Sequence, residues 1–466
     1  MSSQEKRSRP VLLWILIAAV LLAAFWLYFG ETLFTRESSL LGATCQPAEK
    51  IPPEENAWPE YEKALLAMQK DEWEKGPFRE WWVPPGKEKS RFTAEEKTFL
   101  DRFRGAFSAL EAGASKPGCQ YLEEERSSAV APVPAQLRML DRLISLQCRR
   151  LFLEGRFREC AELSVAMYRF GADLFDPRSG DVHAIASICC LETAWCSLQD
   201  LLNNEASGTS CAKMIFRGVH DANLRMPTAF QFVEARYRWH DCTIEDIVLH
   251  GRGDRWGIYF PDTISQARRL SPRARKIVVD AVVRAHRDAL AAQEKNLKSW
   301  DFEAYNALSV THTGRVPHSK LILMSPFLPS AKTRACSFLF TANPDSLELH
   351  HHFFSQNTPV MELYLIKADG VALEAMAAVV AYKAAHGEYP GSLEDAFRQF
   401  TLPVPGDPAT GTAVKYRLEG GRPVIWLPGL DRKDDGGKEP YRHNATIILE
   451  GTDLIYRHGE TPPYRK

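Results

Sequence analysis

The sequence lacks an excess of charge of either sign. Lys and Arg total 58 against 59 for Asp and Glu, so the formal net charge is −1. A dedicated nucleic-acid-binding protein normally carries a marked basic excess. We therefore expect no nucleic-acid partner, and no overall field that steers a charged ligand toward the molecule.

Short motifs of familiar chemistry are also missing. The ten cysteines include no Cys-x-x-Cys pair, so their spacing does not suggest a zinc site. Neither a Gly-x-Ser-x-Gly elbow, a His-Glu-x-x-His helix nor a Gly-x-x-x-x-Gly-Lys-Ser/Thr loop occurs. Because catalytic residues can also come from distant parts of a chain, these absences lower the expectation of an enzyme without removing it.

One apolar run dominates the N-terminus. "VLLWILIAAVLLAAFWLYF", residues 11–29, has no charge, and as a helix it would span about 28 Å, enough for a hydrocarbon core. Lys6, Arg7 and Arg9 precede it, which by the positive-inside rule places residues 1–10 in the cytoplasm. A cleaved signal peptide is the alternative, but its apolar region is normally shorter and ends at small residues.

These features predict a single-pass protein of the bacterial inner (cytoplasmic) membrane. Residues 11–29 would anchor it in the lipid bilayer, residues 30–50 would form a linker, and the C-terminal bulk would lie outside the cytoplasm.

Helical periodicity fills residues 51–350, for which we predict an all-α extracytoplasmic domain. A helix is expected from about Pro59, with Leu65 and Leu66 among its buried residues. Thr93 and Glu96 form a capping-box pattern. Residues 134–174 predict a helical hairpin that turns at Gly155, similar to one tetratricopeptide unit, although no second copy follows.

Further helices are expected at about 181–205, 211–250 and 271–300. Five cysteines fall between residues 148 and 196, in segments predicted to be packed helices: Cys148, Cys160, Cys189, Cys190 and Cys196. They can pack as small apolar residues or form a bridge between neighbouring helices, and the sequence leaves both open.

Residues 358–466 predict a small α+β module. A single helix of about 29 residues would begin at Thr358-Pro359 and end at Gly387, with one apolar face; a bend or a split around Gly370 is the alternative. The pattern then changes to period two, and two hairpins are expected, around Glu419-Gly420-Gly421 and at Gly451. The predicted fold class is thus mainly α, with this long helix packed on a small antiparallel sheet.

The order of these elements resembles the globular part of type II secretion major pseudopilins. The matching positions are Tyr382, Gly387, Tyr389, Pro390, Leu393, Pro403, Asp407, Pro408, Gly411, Tyr416, Gly429, Asp431, Asp434, Asp435 and Gly436. The N-terminal processing signal of pseudopilins is absent, so the resemblance implies a pseudopilin-like module without their polymerisation.

Most of the chain is also similar to a family of bacterial single-anchor envelope proteins of unknown activity. This likeness rests on Asn56-Ala57, on residues 151–163 and on the tail 389–437. It implies an architecture and no reaction.

The pseudopilin resemblance implies calcium at the acidic loop, with Asp431, Asp434 and Asp435 as ligands. Calcium takes six to eight oxygens, and clustered carboxylates on a glycine-flanked loop can begin such a cage. Arg432 and Lys433 stand between the acids, and their charge would weaken it. A solvated charged turn is the other interpretation.

Two function hypotheses follow. We favour a non-catalytic interaction or scaffold protein that binds a protein partner. The alternative is a metal-dependent envelope hydrolase with its site in the helical domain, around His240, Asp241, His312 or His350. Within "LELHHHFF", His350 and His352 share a face with Glu348 only if the segment is a strand.

Overall fold

The structure is a computed structural model that describes residues 51–67, 77, 91–120, 134–175, 181–234, 272–301, 358–437 and 453–460. These residues are mostly helical, with one three-stranded antiparallel sheet in the C-terminal region. The helices are α1 Trp58–Leu66, α2 Ala94–Arg102, α3 Arg104–Ala114, α4 Pro134–Leu153, α5 Phe157–Leu174, α6 Asp181–Asn203, α7 Gly208–Asn223, α8 Pro272–Lys298, α9 Thr358–His386 and α10 Leu393–Arg398. The strands are β1 Lys415–Glu419, β2 Arg422–Leu427 and β3 Leu454–Arg457.

The chain divides into two compact units. The larger comprises residues 50–239, 289–312 and 354–466. The smaller comprises residues 1–49, 240–288 and 313–353, of which the structure describes residues 272–288, the first part of α8.

The segments predicted as tail, anchor and linker, residues 1–50, lie outside the described residues. Among the residues that are described, no helix is both long enough and apolar enough to cross a membrane.

Local signals in the first half of the chain produce the helix ends that they predict. Thr93 accepts a hydrogen bond from the Glu96 amide, and the Glu96 carboxylate accepts one from the Thr93 amide, which completes the capping box of α2. Gly155 adopts a positive φ of 73° between α4 and α5, as a tight turn between helices requires. The predicted hairpin is therefore confirmed.

Two helical predictions were wrong in detail. Leu66 is half exposed at the end of α1, where the shorter Ala64 is buried instead. The single helix expected over 211–250 stops at Asn223, and residues 224–228 are not helical. Pro227 accounts for the break, because proline supplies no amide hydrogen and disfavours helical geometry in the residue before it.

Helix α9 is the centre of the larger unit. It runs uninterrupted over 29 residues, so Gly370 does not split it. It contacts α6, α7, α10 and β2, and apolar residues are buried on all its sides rather than on one face. A helix that is apolar all round requires such a buried position.

Gly370 explains how closely the helices approach. A Cβ atom there would lie 2.3 Å from Asn223 Oδ1 on α7 and 2.5 Å from the Tyr168 hydroxyl on α5. Glycine at this position is therefore needed for the close packing of α9.

The sheet has the order β1-β2-β3. Gly420 and Gly421 both have positive φ and connect β1 to β2, so the first predicted hairpin is confirmed. β3 pairs with β2, Trp426 facing Ile455. The segment expected to form the second hairpin with β3, around Gly451, lies outside the described residues.

The described cysteines occupy both the interior and the surface. Cys148, Cys160 and Cys190 are buried, whereas Cys196 is exposed on α6. The Cys160 thiol approaches the Cys148 carbonyl oxygen at 3.3 Å across the α4–α5 hairpin.

Candidate functional site

The acidic loop after β2, residues 431–437, contains the three residues predicted to bind calcium. Asp431 Oδ1 accepts a hydrogen bond from the Lys433 amide at 3.0 Å, and Asp434 Oδ1 accepts one from the Gly436 amide at 2.9 Å. Gly429 and Gly436 have positive φ, as expected of a backbone that folds around side-chain oxygens. Two of the three acids thus order the loop itself.

Asp434 is further held by the sheet. The indole N–H of Trp426 donates to Asp434 Oδ1 at 2.9 Å. This bond, together with the nearby cations of Lys415 and Arg417, lowers the pKa of Asp434. Lys415 Nζ lies 3.9 Å from Asp434 Oδ2.

Asp453, which precedes β3, also holds this loop, although nothing in the sequence pointed to it. Its side chain is buried and accepts hydrogen bonds from the amides of Asp435 at 3.3 Å and Gly437 at 2.6 Å. Burial raises the pKa of Asp453, and the carboxylates of Asp434 and Asp435 raise it further, against these two hydrogen bonds. No motif marks Asp453, since its partners are backbone amides.

Arg417 on β1 reaches the same loop. Its guanidinium lies over the Trp426 ring, 4.7 Å from the centroid, and donates to the carbonyl oxygens of Gly436 and Gly437. Glu419 accepts from Arg417 Nε at 2.7 Å. One arginine therefore connects two strands to the loop.

The tip of the loop carries mixed charge on its surface. Arg432, Lys433, Asp434 and Asp435 are exposed. Arg432 adopts a positive φ of 64°, which is uncommon for a residue with a Cβ, and its guanidinium donates to the Ser299 carbonyl oxygen after α8. The loop thus presents two cations followed by two carboxylates on a backbone fixed at several points.

Metal ligands do not converge in the described part of the chain: no group of three or more His, Cys, Asp or Glu side chains is placed to hold a metal ion. The calcium site at Asp431, Asp434 and Asp435 stays a prediction from the sequence. His240, Asp241, His312, Glu348 and His350–His352 lie outside the described residues.

A second polar cluster lies between α7 and α9. Glu374 is buried, and its carboxylate is hydrogen-bonded to His220 Nδ1 at 2.8 Å and to Asn223 Nδ2 at 3.3 Å. The Tyr168 hydroxyl donates to Asn223 Oδ1 at 3.0 Å. Burial raises the pKa of Glu374, while both partners lower it. His220 lies on α7 and Glu374 on α9, 154 positions apart in the chain. No sequence motif predicts this pair, because only the packing of the two helices brings it together.

A third cluster joins α1, α5 and the segment after α7. The Tyr61 hydroxyl donates to Asp173 Oδ2 at 2.8 Å, and Arg169 Nε donates to Asp173 Oδ1 at 3.2 Å. Arg225 Nη1 lies 3.4 Å from the same oxygen. Asp173 is thus surrounded by donors from three parts of the chain, as a buried carboxylate requires.

Lys367 of α9 is partly buried, and this burial lowers the pKa of its amine to about 8. A lysine perturbed in this way is a common sign of catalytic use. Here Nζ donates to the carbonyl oxygens of Met226 and Pro227, each at 3.2 Å. The amine therefore fastens α9 to the non-helical segment after α7.

No protein-family model, curated protein or solved structure matches the chain.

Proposed function

We propose that this chain is a membrane-anchored envelope protein that acts as a non-catalytic scaffold. In this proposal residues 11–29 hold it in the inner membrane, and the outer part binds a protein partner. The C-terminal helix and sheet serve as a pseudopilin-like module, whose exposed loop 431–437 is the contact surface.

The use of the buried and partly buried ionisable groups supports a scaffold. Glu374, Asp173 and Lys367 each hydrogen-bond to groups from other helices or segments. Asp407 likewise accepts from the Tyr364 hydroxyl of α9 at 3.0 Å and from the amides of Ala409 and Thr410. A catalytic group must reach a substrate, whereas these four groups hydrogen-bond to other parts of the chain and hold its segments together.

The loop 431–437 supports the choice of contact surface. Asp453, Trp426 and Arg417 hold the backbone of the loop in place. Because the loop is already ordered, a partner that hydrogen-bonds to its exposed charges loses less conformational entropy on binding. Mixed charge suits a protein partner of mixed charge better than an anionic polymer.

Site-directed photo-crosslinking in intact cells tests the contact surface. A photoreactive residue at Lys433, in the loop, should give one discrete adduct, and the same residue at Arg158, exposed on α5, should not. The loop would lose this role if Lys433 gave no adduct, or the same adducts as Arg158.

The membrane topology has its own test. Protease added to spheroplasts should degrade the outer part of the chain while leaving a cytoplasmic marker intact. Recovery of the full-length protein in the soluble cytosolic fraction would contradict the anchor.

The hydrolase remains the second hypothesis from the sequence. Its residues, His240, Asp241, His312 and His350, should hold a transition metal in the purified chain. Elemental analysis that finds none at a stoichiometric level argues against it.

A further inference from the structure

Arg417 contacts the loop atoms that a calcium ion would need. Its Nη2 donates to the Gly437 carbonyl oxygen at 2.8 Å, and its Nη1 donates to that of Gly436. Calcium at this loop would require backbone carbonyls in addition to the carboxylates, at 2.3–2.6 Å from the ion. The guanidinium therefore competes with the ion for the same oxygens.

The position of the guanidinium is fixed from the opposite side as well. It lies on the Trp426 ring and is hydrogen-bonded to Glu419. Gly437 has a positive φ of 59°, and a Cβ there would lie 3.0 Å from Trp426 Cδ2 and 3.3 Å from Arg417 Nη1. The loop backbone thus packs directly against the arginine and the indole.

Two carboxylates at the loop, those of Asp434 and Asp453, already have donors. Asp434 Oδ1 accepts from the Trp426 indole and the Gly436 amide. Asp453 accepts from two loop amides. A divalent cation at these oxygens would compete with these donors and would lie beside the permanent positive charge of the guanidinium.

We propose that Arg417 replaces a metal ion as the cation that closes the loop 431–437, so that the loop is ordered without calcium. The arginine supplies a planar fork of N–H donors, which suits two successive carbonyl oxygens. This inference concerns how the loop folds, and it does not depend on whether the loop binds a partner.

Trypsin digestion of the full-length chain in detergent tests the proposal, because Arg432 and Lys433 are cleavage sites within the loop. The rate of cleavage after Arg432, followed by mass spectrometry, should be the same in millimolar calcium and in excess chelator. In Arg417→Gln the rate should rise about tenfold or more, since two hydrogen bonds to a charged donor are lost.

Two variants serve as controls. Lys415→Gln removes a nearby positive charge that touches no loop carbonyl, and it should leave the rate unchanged. Arg417→Lys keeps the positive charge but lacks the planar pair of N–H donors. Its loop should be cleaved at a rate between those of the wild type and Arg417→Gln.

Calcium that slows cleavage of the wild-type loop, or a chelator that accelerates it, would overturn the proposal. So would an Arg417→Gln loop that is cleaved no faster than the wild type. The wild-type comparison remains decisive even if the variant fails to fold.

Discussion

Replacing Gly370 with alanine separates helix propensity from helix packing. Gly370 lies in the middle of α9, where alanine would normally stabilise a helix by about 1 kcal/mol. Its Cβ, however, would overlap Asn223 Oδ1 and the Tyr168 hydroxyl, at 2.3 and 2.5 Å. We expect the overlap to outweigh the propensity, so that the variant is less stable than the wild type.

The size of the expected stability loss follows from the atoms that the new methyl group would displace. They form the Tyr168–Asn223 hydrogen bond, whose loss costs about 0.5–1.5 kcal/mol. Forcing a methyl group into a packed interface costs a further 1–3 kcal/mol or so. After the gain in helix propensity, the net loss in the free energy of unfolding should be about 1–3 kcal/mol.

Denaturant unfolding of the full-length chain in detergent, followed by tryptophan fluorescence, measures the change. Gly105→Ala is the matched control, since Gly105 lies in α3 and a Cβ there meets no atom within 4 Å. That variant should be as stable as the wild type or more stable. A Gly370→Ala chain that gains stability as Gly105→Ala does would refute the packing of α9 against α5 and α7.

A double-mutant cycle identifies the cause of the loss. Tyr168→Phe removes the hydroxyl that the new methyl group would meet, so it should relieve part of the overlap. The double variant should then lose less stability than the sum of the two single variants. Strict additivity would place the effect of Gly370→Ala elsewhere.

Three further substitutions have expected outcomes. Tyr61→Phe removes a donor to buried Asp173 and should lower the free energy of unfolding by about 1–2 kcal/mol, measured by denaturant titration; no change would contradict the buried hydrogen bond. Burial raises the pKa of Asp141 to about 7, above its unfolded value near 4, so its contribution to stability is fully present below pH 4 and is lost as the pH rises through 7. Asp141→Asn should flatten this loss in a pH series of melting temperatures, and an unchanged series would contradict it. Thr93→Ala removes the cap of α2, which costs about 1 kcal/mol, so amide exchange of residues 94–97 should accelerate, and unchanged exchange would argue against the cap.

The features that the sequence predicted well depend on neighbours in the chain. The Thr93–Glu96 capping box, the Gly420-Gly421 turn and the end of α9 at Gly387 each involve residues within a few positions of one another. The contacts of Asp407 are equally local, because its side chain accepts hydrogen bonds from the amides two and three residues later. Such contacts depend only on residues that are close in the sequence, so the sequence pattern predicts them without knowledge of the tertiary structure.

The features that were missed depend on residues far apart. The pairing of His220 with Glu374 joins residues 154 positions apart, and that of Tyr61 with Asp173 joins residues 112 apart. Leu66 was wrongly assigned to the core because periodicity marks apolar positions without showing which of them meets a neighbour. Arg417 was overlooked since its partners are carbonyl oxygens, which every sequence supplies.

The burial of α9 bears on how the proposed pseudopilin-like module could act. Seven large aliphatic side chains of α9 are buried: Val360, Met361, Leu363, Ile366, Leu373, Met376 and Val379. At about 1.5–3 kcal/mol each, exposing them would cost roughly 10–20 kcal/mol. That is comparable to the entire stability of a typical domain.

Assembly through α9 would therefore require the larger unit to unfold. A partner that binds the folded chain must instead use surfaces that are exposed while α9 stays in place. The loop 431–437 meets this condition, because its charged tip is exposed while Asp453 and Arg417 hold its base to the sheet. Partner binding at the loop is thus compatible with the packing of the helix, whereas polymerisation through the helix is not.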